Sequence, residues 1–494
     1  MSPRVSGPQT PTSRLSQIVV ATVVVTSLSV MANVASRSPS DDALSPLSVT
    51  SLNVTSAPTT TSTVETLPVP STDSEFALRN EDMSEFKNLK KLAPQVVRDS
   101  SGCYLPQNLL GTPSLAAPPD PPPPSTTPKL DQQPGTVELG KDCGPGSMLW
   151  RYQTGDVVSS SAAFKDGLLY IGSRDGSLYA LDVKTGQKVW ATPPQFSVDV
   201  IPYVDKDLVF YGSSSSLMNA VKADTGELVW QYKAEGVFQS SPLAVGDVLY
   251  CGGGSHSLRA LDRNTGKLLW EYKLDMWVQS SAAYRNGVVY IGADDGYLHA
   301  LDAKSGKLLW QFAAALANDH KIDPDIPVNT KITPDGPRSN VLSTPRFHEN
   351  IALITSVAGS VYGVNADNGE LVWTFYGERN VTDATADKGV AYFHSDASIL
   401  RALNASTGEF LWGVRTGTSH STWPGPYQVG SAAAVWKDTV VVGGNDGDLS
   451  AFDRATGRTL WSFRTQGWIM SSPKVQNGIA YVGSNDGWVY AVKL

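Results

Sequence analysis

A short phrase that ends in tryptophan recurs eight times along this chain. Its clearest copy, Asp-Val-Lys-Thr-Gly-Gln-Lys-Val-Trp, ends at Trp190, and a shortened copy, Gly-Ser-Met-Leu-Trp, ends at Trp150. The eight tryptophans are Trp150, Trp190, Trp230, Trp270, Trp310, Trp373, Trp412 and Trp461. The first four steps are 40 residues each, and the later steps are 63, 39 and 49 residues. A fixed period of this size is typical of a repeat architecture.

Residues 157–192 show what one repeat contains. Four short runs rich in Val, Tyr, Leu and Ile are separated by turns that carry glycine. Such runs predict a four-stranded antiparallel meander. In the third turn, we expect Asp182 to accept hydrogen bonds from the backbone of Lys184 or Thr185. An extended 3.6-residue apolar period is missing from the repeats, so helices are not expected there.

The two ends of the repeat region complement each other. The last repeat stops at Leu494 before a fourth strand, and Trp150 precedes any first strand. We therefore predict an all-β protein, an eight-bladed β-propeller of four-stranded antiparallel blades, closed by an N-terminal strand that completes the last blade. The eight tryptophans are expected to act as spacers between blades, each with an acceptor for its indole N–H.

The repeat resembles a known motif. The run Ala-x-Asp-x-x-Thr-Gly-Lys-x-x-Trp, at Ala260–Trp270, is similar to the tryptophan-docking motif of the quinoprotein alcohol dehydrogenase-like superfamily, whose PQQ-like repeats form eight-bladed propellers. The run at Ala300–Trp310 has Ser305 in place of Thr. The resemblance covers residues 146–494. It implies the fold but not the function, because the superfamily holds both calcium- and pyrroloquinoline quinone-dependent enzymes and non-enzymatic propellers of the bacterial barrel-assembly type. The repeats of this chain most resemble those of the non-enzymatic propellers.

The first 145 residues differ from the repeats. Residues 1–36 contain an uncharged apolar stretch that predicts a secretory signal peptide, with a retained signal anchor as the alternative. Residues 37–145 are rich in Ser, Thr and Pro, which predicts a largely disordered linker with one short helix over 76–97. We therefore expect a secreted, periplasmic or cell-surface protein, which is membrane-anchored only if the first segment is retained.

The cysteines bear on the compartment of the protein, and the charge bears on the class of partner. Cys103 and Cys143 lie outside the repeats and would form a disulfide in an exported protein, with two free thiols as the alternative. Cys251 falls in a predicted strand, where a buried thiol is expected. The net charge is −8 and no basic cluster is present, which argues against a nucleic-acid partner. We expect a monomer that binds a protein or a small ligand.

Both departures from the 40-residue period fall in connections that should emerge on one face of the propeller. These are the loops 313–340 and 415–428, and long loops on a rigid scaffold are common binding sites. The acidic residues of the first loop lack the spacing of a calcium loop, so no metal is predicted. The candidate face comprises Trp277, Asp319, His320, Asp323, Asp325, Arg338, His420, Trp423, Tyr427 and Trp468.

The function stays open between three hypotheses. Catalytic residues remain unassigned because no nucleophile and base stand at a defensible spacing, and His299 and His394 fall in strands, where core histidines are common. The first hypothesis is an exported binding scaffold without a cofactor. The second is a dehydrogenase of alcohols or sugars that uses pyrroloquinoline quinone and calcium, with Asp319, Asp323 or Asp325 as metal ligand or base and Arg338 as electrostatic partner.

The chain lacks the adjacent cysteine pair that many such dehydrogenases carry, which weighs against the second hypothesis. A third hypothesis is another small-molecule enzyme that uses the propeller face as its pocket.

Overall fold

The computed structural model describes residues 97–98, 103, 135–253, 256–314, 339–376, 381–395, 398–417 and 431–494. All of them belong to one compact unit, residues 77–494. The segment 1–36, most of the linker and all but the last residue of the predicted helix 76–97 lie outside the described residues. Within the described part of the chain, no helix is long and apolar enough to cross a membrane.

The described residues form 34 strands, most of which belong to eight blades numbered here in chain order. Three strands precede the first blade: β1 Val97–Arg98, β2 Val137–Leu139 and β3 Met148–Gln153. Blades 1 and 2 contain, from the axis outwards, β4 Ala163–Lys165, β5 Leu168–Gly172, β6 Leu178–Asp182, β7 Lys188–Ala191, β8 Tyr203–Asp205, β9 Leu208–Gly212, β10 Leu217–Lys222 and β11 Leu228–Lys233. Blades 3 and 4 contain β12 Leu243–Val245, β13 Val248–Gly253, β14 Ser257–Asp262, β15 Leu268–Lys273, β16 Ala283–Arg285, β17 Val288–Gly292, β18 Tyr297–Asp302 and β19 Leu308–Ala313.

The remaining strands follow the same plan. Blades 5 and 6 contain β20 Arg346–His348, β21 Ile351–Thr355, β22 Ser360–Asn365, β23 Leu371–Tyr376, β24 Thr385–Asp387, β25 Val390–Ser395, β26 Ile399–Asn404 and β27 Phe410–Arg415. Blade 7 contains β28 Ala434–Trp436, β29 Thr439–Gly443, β30 Asp448–Asp453 and β31 Thr459–Arg464. Blade 8 contains β32 Lys474–Gln476, β33 Ile479–Gly483, β34 Trp488–Lys493 and, as its fourth strand, β3.

The ring closes as the sequence predicts. Strand β3 pairs antiparallel with β34, and Trp150 lies opposite Ala491. The four main strands of every blade are antiparallel and pair in chain order, apart from this closure. The eight-bladed propeller, completed by an N-terminal strand, is thus confirmed.

Tight turns join the first and second strands of most blades. In blade 1, Asp166 and Gly167 have φ angles of 50° and 81°. Two consecutive positive φ angles suit the two-residue hairpin turns whose twist matches that of the flanking strands. The second and third strands are covered by the neighbouring blades, so that Leu169 and Ile171 are fully buried. Hydrophobic burial between the sheets therefore holds the ring together.

The tryptophans join successive blades. Trp190 Nε1 donates a hydrogen bond to the carbonyl of Ala223 in the next blade, at 3.1 Å. The indole also packs on Gly226, where a Cβ would lie 2.6 Å from Cε3 and where φ is +72°. Both the conformation and the close approach require glycine. The same N–H to carbonyl contact is made by Trp150, Trp230, Trp270, Trp373 and Trp412, so six of the eight tryptophans link neighbouring blades in this way.

The turn between the third and fourth strands is capped as expected. Asp182 Oδ1 accepts hydrogen bonds from the backbone N–H of Lys184 at 3.1 Å and of Thr185 at 2.8 Å. The Thr185 hydroxyl donates to the same oxygen at 2.8 Å. One carboxylate therefore satisfies two turn amides, and it holds Gly186 in the position where the neighbouring indole packs.

Two short strands were not predicted. Strand β2 pairs antiparallel with β3 and becomes the fifth strand of blade 8. Strand β1 pairs in parallel with β31 and becomes the fifth strand of blade 7, with Arg98 opposite Phe463. Strands of two or three residues inside a polar segment carry no readable periodicity. They extend the ordered structure into the segment that we expected to be largely disordered.

A disulfide joins the segment that follows β1 to the segment that follows β2. Cys103 and Cys143 are bonded, with their Cα atoms 5.6 Å apart, which confirms the predicted pairing. Arg98 Nη1 donates a hydrogen bond to the carbonyl of Cys143 at 3.2 Å. The chain that leads to β1 is thus tied to the chain that enters β3. Cys251 is a free, buried thiol, as expected.

Candidate binding face

We call one side of the ring the loop face. It comprises the connections between consecutive blades, such as 154–162, 274–282 and 465–473, and the turns between second and third strands, such as 173–177, 293–296 and 484–487. Backbone hydrogen bonds join the two kinds of segment within a blade. Asp294 N–H donates to the Trp277 carbonyl at 3.0 Å, and Asn485 N–H donates to the Trp468 carbonyl at 2.8 Å. The connections therefore rest on the turns and form one continuous surface.

Trp277 and Trp468 occupy equivalent positions on this surface. Each lies three residues before a buried serine, Ser280 or Ser471, that precedes an innermost strand. They belong to the connections that enter blades 4 and 8, which are four positions apart in a ring of eight, so the two residues stand on opposite sides of the central channel. Trp277 is 47% exposed, and Met276 beside it is 48% exposed. Trp468 is half-buried.

The long connection between blades 4 and 5 starts and ends at one point of the loop face. Ser339 N–H donates a hydrogen bond to the Ala314 carbonyl at 3.0 Å, and Ala314 N–H donates to the Gly296 carbonyl at 2.9 Å. The residues between these ends, 315–338, lie outside the described residues. The ends alone fix the base of this loop on the turn of blade 4.

The second long connection, between blades 6 and 7, begins in the same way. Thr416 N–H donates to the carbonyl of Ser398, in the turn of blade 6, at 2.8 Å. Residues 418–430 are not described. Eight of the ten candidate residues therefore lie outside the part of the chain that the structure describes: Asp319, His320, Asp323, Asp325, Arg338, His420, Trp423 and Tyr427. Their role stays a prediction.

Carboxylates in the turns anchor the connections, which we did not predict. Asp175 Oδ2 accepts hydrogen bonds from Gly155 N–H at 2.7 Å and from the Tyr179 hydroxyl at 2.6 Å. In blade 8, Asp486 Oδ2 accepts from Gln466 N–H at 2.9 Å and from the Tyr490 hydroxyl at 2.7 Å. Each carboxylate ties the turn of one blade to the chain arriving from the blade before it. The sequence feature that could have indicated this role is the Asp-Gly pair that recurs at 175–176, 295–296, 446–447 and 486–487.

Burial changes the proton affinity of two of these carboxyl groups. Burial, followed by the negative charge of Asp448, raises the pKa of Asp446 to about 6. Burial also raises the pKa of Asp486, against the hydrogen bond from Tyr490. Desolvation disfavours the charged form of a carboxyl group, which accounts for both directions.

The histidines in strands are buried and hydrogen-bonded, as predicted. His299 Nε2 lies 3.0 Å from Asp295 Oδ2. His394 Nε2 lies 2.8 Å from Thr416 Oγ1, and burial lowers the pKa of His394 to about 4. Both side chains support the loop face from beneath. Within the described ranges, no group of three or more His, Cys, Asp or Glu residues could hold a metal ion.

A set of hydroxyl groups seals neighbouring blades just below the mouth of the channel. Ile201 N–H donates to Ser241 Oγ at 3.0 Å, and Ser241 N–H donates to Ser281 Oγ at 2.9 Å. Across the closure, Ser472 N–H donates to Ser161 Oγ at 2.8 Å. We did not predict this seal. Its signal was the pair of serines at 160–161, 240–241, 280–281 and 471–472.

Eight four-stranded blades, joined by tryptophans packed on turn glycines, define the class of tryptophan-docked eight-bladed propellers. A family model described as outer membrane protein assembly factor BamB matches residues 140–278, 213–332, 274–422 and 395–493. These overlapping ranges cover the propeller from before β3 to the penultimate residue. The chain belongs to this family.

Curated relatives include proteins of different function. The chain is 31% identical over 163 residues to a tetrathionate hydrolase of Acidithiobacillus ferrooxidans, which is 29% of this chain and 32% of the relative. It is 30% identical over 194 residues to a quinohemoprotein alcohol dehydrogenase of Comamonas testosteroni, and this alignment covers 37% of this chain and 26% of the relative. The chain thus spans about a third or less of each relative.

The solved structures agree on the fold. The crystal structure of BamB from Moraxella catarrhalis superposes with a TM-score of 0.58 at 19% identity, covering 70% of this chain and 99% of that one. At this identity the likeness shows the architecture alone.

Proposed function

We propose that this protein is an exported binding scaffold that presents its loop face to a protein partner. The observation that carries the proposal is the common base of the long 4–5 connection and Trp277. Ala314 and Trp277 are both hydrogen-bonded to the turn of blade 4, through Gly296 and Asp294. The base of a long loop and a half-exposed indole are therefore held by one turn.

Such an arrangement suits protein recognition. An exposed aromatic side chain on a fixed backbone can be buried by a partner at a small cost in conformational entropy, and a methionine beside it can adapt its shape to the partner. Trp277 and Met276 have this character, with about half of each side chain exposed. The description of the family, an assembly factor, also supports a function in binding other proteins.

Export is part of the proposal. The uncharged apolar stretch 17–36 supports a secretory signal. The disulfide between Cys103 and Cys143 supports an oxidising compartment, because such bonds are rare in reducing ones. The net charge of −8 supports a partner other than nucleic acid.

The test uses the full chain and two variants of the loop face. The first replaces 316–337 with a short Gly-Ser linker, which the hydrogen bond between Ser339 and Ala314 allows without strain. The second is Trp277→Ala. Proteins of the exported fraction are crosslinked to each, and the crosslinked sites are mapped by mass spectrometry. We expect one partner whose crosslinks concentrate on the loop face and whose affinity falls about tenfold or more in both variants.

The matched control is Leu309→Ser, which removes a side chain that is 54% exposed on the outermost strand of blade 4. It should leave the affinity unchanged. If the partner binds the two loop-face variants as tightly as the parent, or if crosslinks scatter over the outer strands, the scaffold proposal is wrong.

A second candidate function is a quinone-dependent dehydrogenase. The similarity to a quinohemoprotein alcohol dehydrogenase favours it, as do Trp277 and Trp468 on opposite sides of the channel mouth. The described residues do not fit the cofactors: they include no group of three His, Cys, Asp or Glu for calcium. The one free cysteine, Cys251, is buried, and burial raises its pKa to about 12.

The dehydrogenase candidate has its own test. The full chain is incubated with calcium and pyrroloquinoline quinone, and bound-cofactor absorbance is recorded together with dye reduction by alcohols and sugars. Saturable binding with turnover would establish the enzyme and displace the scaffold proposal. Binding of the quinone without turnover at any substrate would exclude the dehydrogenase.

A further inference from the structure

Acidic residues are concentrated on one half of the loop face. In blades 1 to 4, its connections and turns are 154–162, 173–177, 192–202, 213–216, 234–242, 274–282 and 293–296. These segments contain seven Asp or Glu residues and one cation, Arg174. The turns on the opposite face of the same blades, 166–167, 183–187, 206–207, 223–227, 246–247, 263–267, 286–287 and 303–307, contain five Asp or Glu and six Lys or Arg residues. The negative excess therefore belongs to the loop face and not to these blades as a whole.

The other half of the loop face is balanced. In blades 5 to 8, the described connections, turns and strand ends on this side carry four carboxylates, Asp383, Asp446, Asp448 and Asp486. Four cations at strand ends offset them: Arg346, Arg415, Arg464 and Lys474. In blades 1 to 4, the strand ends on this side add two cations, Lys233 and Lys273, at the ends of the outermost strands β11 and β15. These two lysines are too few to remove the acidic excess there.

Three of the carboxylates in blades 2 to 4 have no cationic partner. Glu235 and Asp275 are exposed and occupy equivalent positions, two residues after the ends of β11 and β15. Within the described residues, neither carboxylate forms a hydrogen bond or a salt bridge. Asp294 accepts one hydrogen bond, from Gln279 Nε2 to Oδ2 at 2.8 Å, and its Oδ1 has no partner. The charges of these groups are therefore available to a ligand.

Exposed apolar side chains lie on the same half of the face. In the described connections, the large apolar side chains with about half or more of their surface exposed are Phe196, Met276 and Trp277. Asp275 directly precedes Met276, and Asp294 N–H donates to the Trp277 carbonyl at 3.0 Å. Carboxylates and an exposed indole thus stand side by side. Both groups attract a cation, the carboxylate through its charge and the indole through its ring face.

We propose that the half of the loop face formed by blades 1 to 4 binds a basic, amphipathic segment of the protein partner. Lysine or arginine side chains of this segment contact Glu235, Asp275 and Asp294. An apolar side chain of the segment contacts Trp277 and Met276. The proposal rests on the scaffold function proposed above and specifies the chemistry of the partner. Complementary charge speeds association and disfavours acidic competitors, while apolar contact at the indole supplies affinity.

The probe is a fluorescein-labelled synthetic peptide built from lysine and leucine, titrated with the full chain and followed by fluorescence anisotropy. A peptide with glutamate in place of each lysine is the control for the sign of the charge. We expect saturable binding of the lysine peptide that weakens several-fold between about 50 and 300 mM salt. The glutamate peptide should not bind. This comparison uses the parent chain alone and does not depend on the folding of any variant.

A double variant locates the binding. Glu235→Gln combined with Asp275→Asn removes two exposed charges and no hydrogen bond within the described residues. It should weaken binding of the lysine peptide about three- to tenfold, as for the loss of two exposed ion pairs. The matched control is Asp224→Asn combined with Asp247→Asn, which removes two exposed charges from opposite-face turns of blades 2 and 3. This control has the same net charge and should leave the affinity unchanged.

The outcomes separate this proposal from the scaffold function. Failure of the lysine peptide to bind, equal binding of the two peptides, or equal effects of the two double variants would overturn the basic partner. A natural partner that is crosslinked to the loop face through an acidic or uncharged segment would also overturn it and would leave the scaffold function intact. Crosslinks that scatter over the outer strands contradict the scaffold function itself.

Discussion

The backbone N–H of Gly146 donates a hydrogen bond to the carbonyl of Lys493 at 2.7 Å, so the chain that enters β3 is paired with the end of β34. At the same place, a Cβ on Gly146 would lie 3.0 Å from Cδ2 of Trp461. The closure therefore repeats the contact between tryptophan and glycine that joins the other blades. The shortened first copy of the phrase keeps the glycine and the tryptophan because the closure needs both.

Removal of one docking tryptophan should destabilise the whole ring. Trp150 is 1% exposed, and its Nε1 donates to the Val183 carbonyl at 3.1 Å. Trp150→Ala should lower the free energy of unfolding by about 3–5 kcal/mol, the range for large-to-small changes in a core. Urea denaturation followed by tryptophan fluorescence measures it. Trp277→Ala, at an indole that is about half exposed, is the control and should cost less than about 1 kcal/mol. Equal losses would show that Trp150 is not a structural spacer.

Substitution by alanine should destabilise the protein more at the glycines on which tryptophans pack than at the glycines of the hairpin turns. Gly186 has a φ of +72°, and a Cβ there would lie 2.6 Å from Cδ2 of Trp150. Gly167 has a φ of +81° but nothing within 4 Å. Gly167→Ala should cost about 1 kcal/mol for backbone strain. Gly186→Ala should cost about 1–3 kcal/mol more, because the indole must move. Thermal denaturation of both variants gives the comparison, and identical melting temperatures would contradict it.

The disulfide should stabilise the protein through its loop. Cys103 and Cys143 are separated by 40 residues, and chain entropy gives about 4 kcal/mol for closing a loop of this length, as an upper value. Cys103→Ser should lower the melting temperature by several degrees. A reductant should lower the melting temperature of the parent to the same value and leave the Cys103→Ser variant unchanged. A parent whose melting temperature ignores the reductant would rule out a structural role for the bond.

The raised pKa of Asp446 should appear in the dependence of stability on pH. Between the ordinary pKa of 3.8 and the folded pKa of about 6, the native state binds more protons than the unfolded state. Stability therefore falls as pH rises through this window, and the full cost remains at higher pH. Asp446→Asn should flatten the profile between pH 4 and 7 and raise stability at pH 7 by up to about 3 kcal/mol. Its amide oxygen can still accept the N–H of Asp448.

The control for this profile is Asp166→Asn, in an exposed hairpin turn where asparagine tolerates the φ of 50°. Its unfolding free energy should follow the pH dependence of the parent. Urea denaturation at a series of pH values decides the matter. An Asp446→Asn profile parallel to that of the parent would mean that the carboxyl group is not desolvated in solution.

The fold could be predicted from the sequence because each blade repeats the same local chemistry. The glycines of the turns, the capping aspartate and the tryptophan appear together in most copies, and the incomplete first and last copies define the closure. Strands β1 and β2 could not be predicted, since they pair with edges of blades 7 and 8 that exist only after the ring has formed. Local periodicity contains no information about such edges.

The candidate site was predictable only in outline. The positions of Trp277 and Trp468 near the channel mouth follow from counting residues back from the innermost strands. The seal formed by Ser241 and its equivalents was missed, although the paired serines recur at the repeat period. A hydroxyl that accepts an N–H from the neighbouring blade looks in the sequence like any surface serine. The roles of the two long loops remain predictions.

The two strands added from the N-terminal segment give blades 7 and 8 a different outer edge from the other six blades. Within the described residues, β1 and β2 occupy the free edges of blades 7 and 8, whereas the outermost strands of blades 1 to 6 end their sheets. An unpaired edge can accept a strand from another molecule. Strands β1 and β2 are only two and three residues long, so they present a short outer edge, and lateral growth of an aggregate would favour the arc of blades 1 to 6.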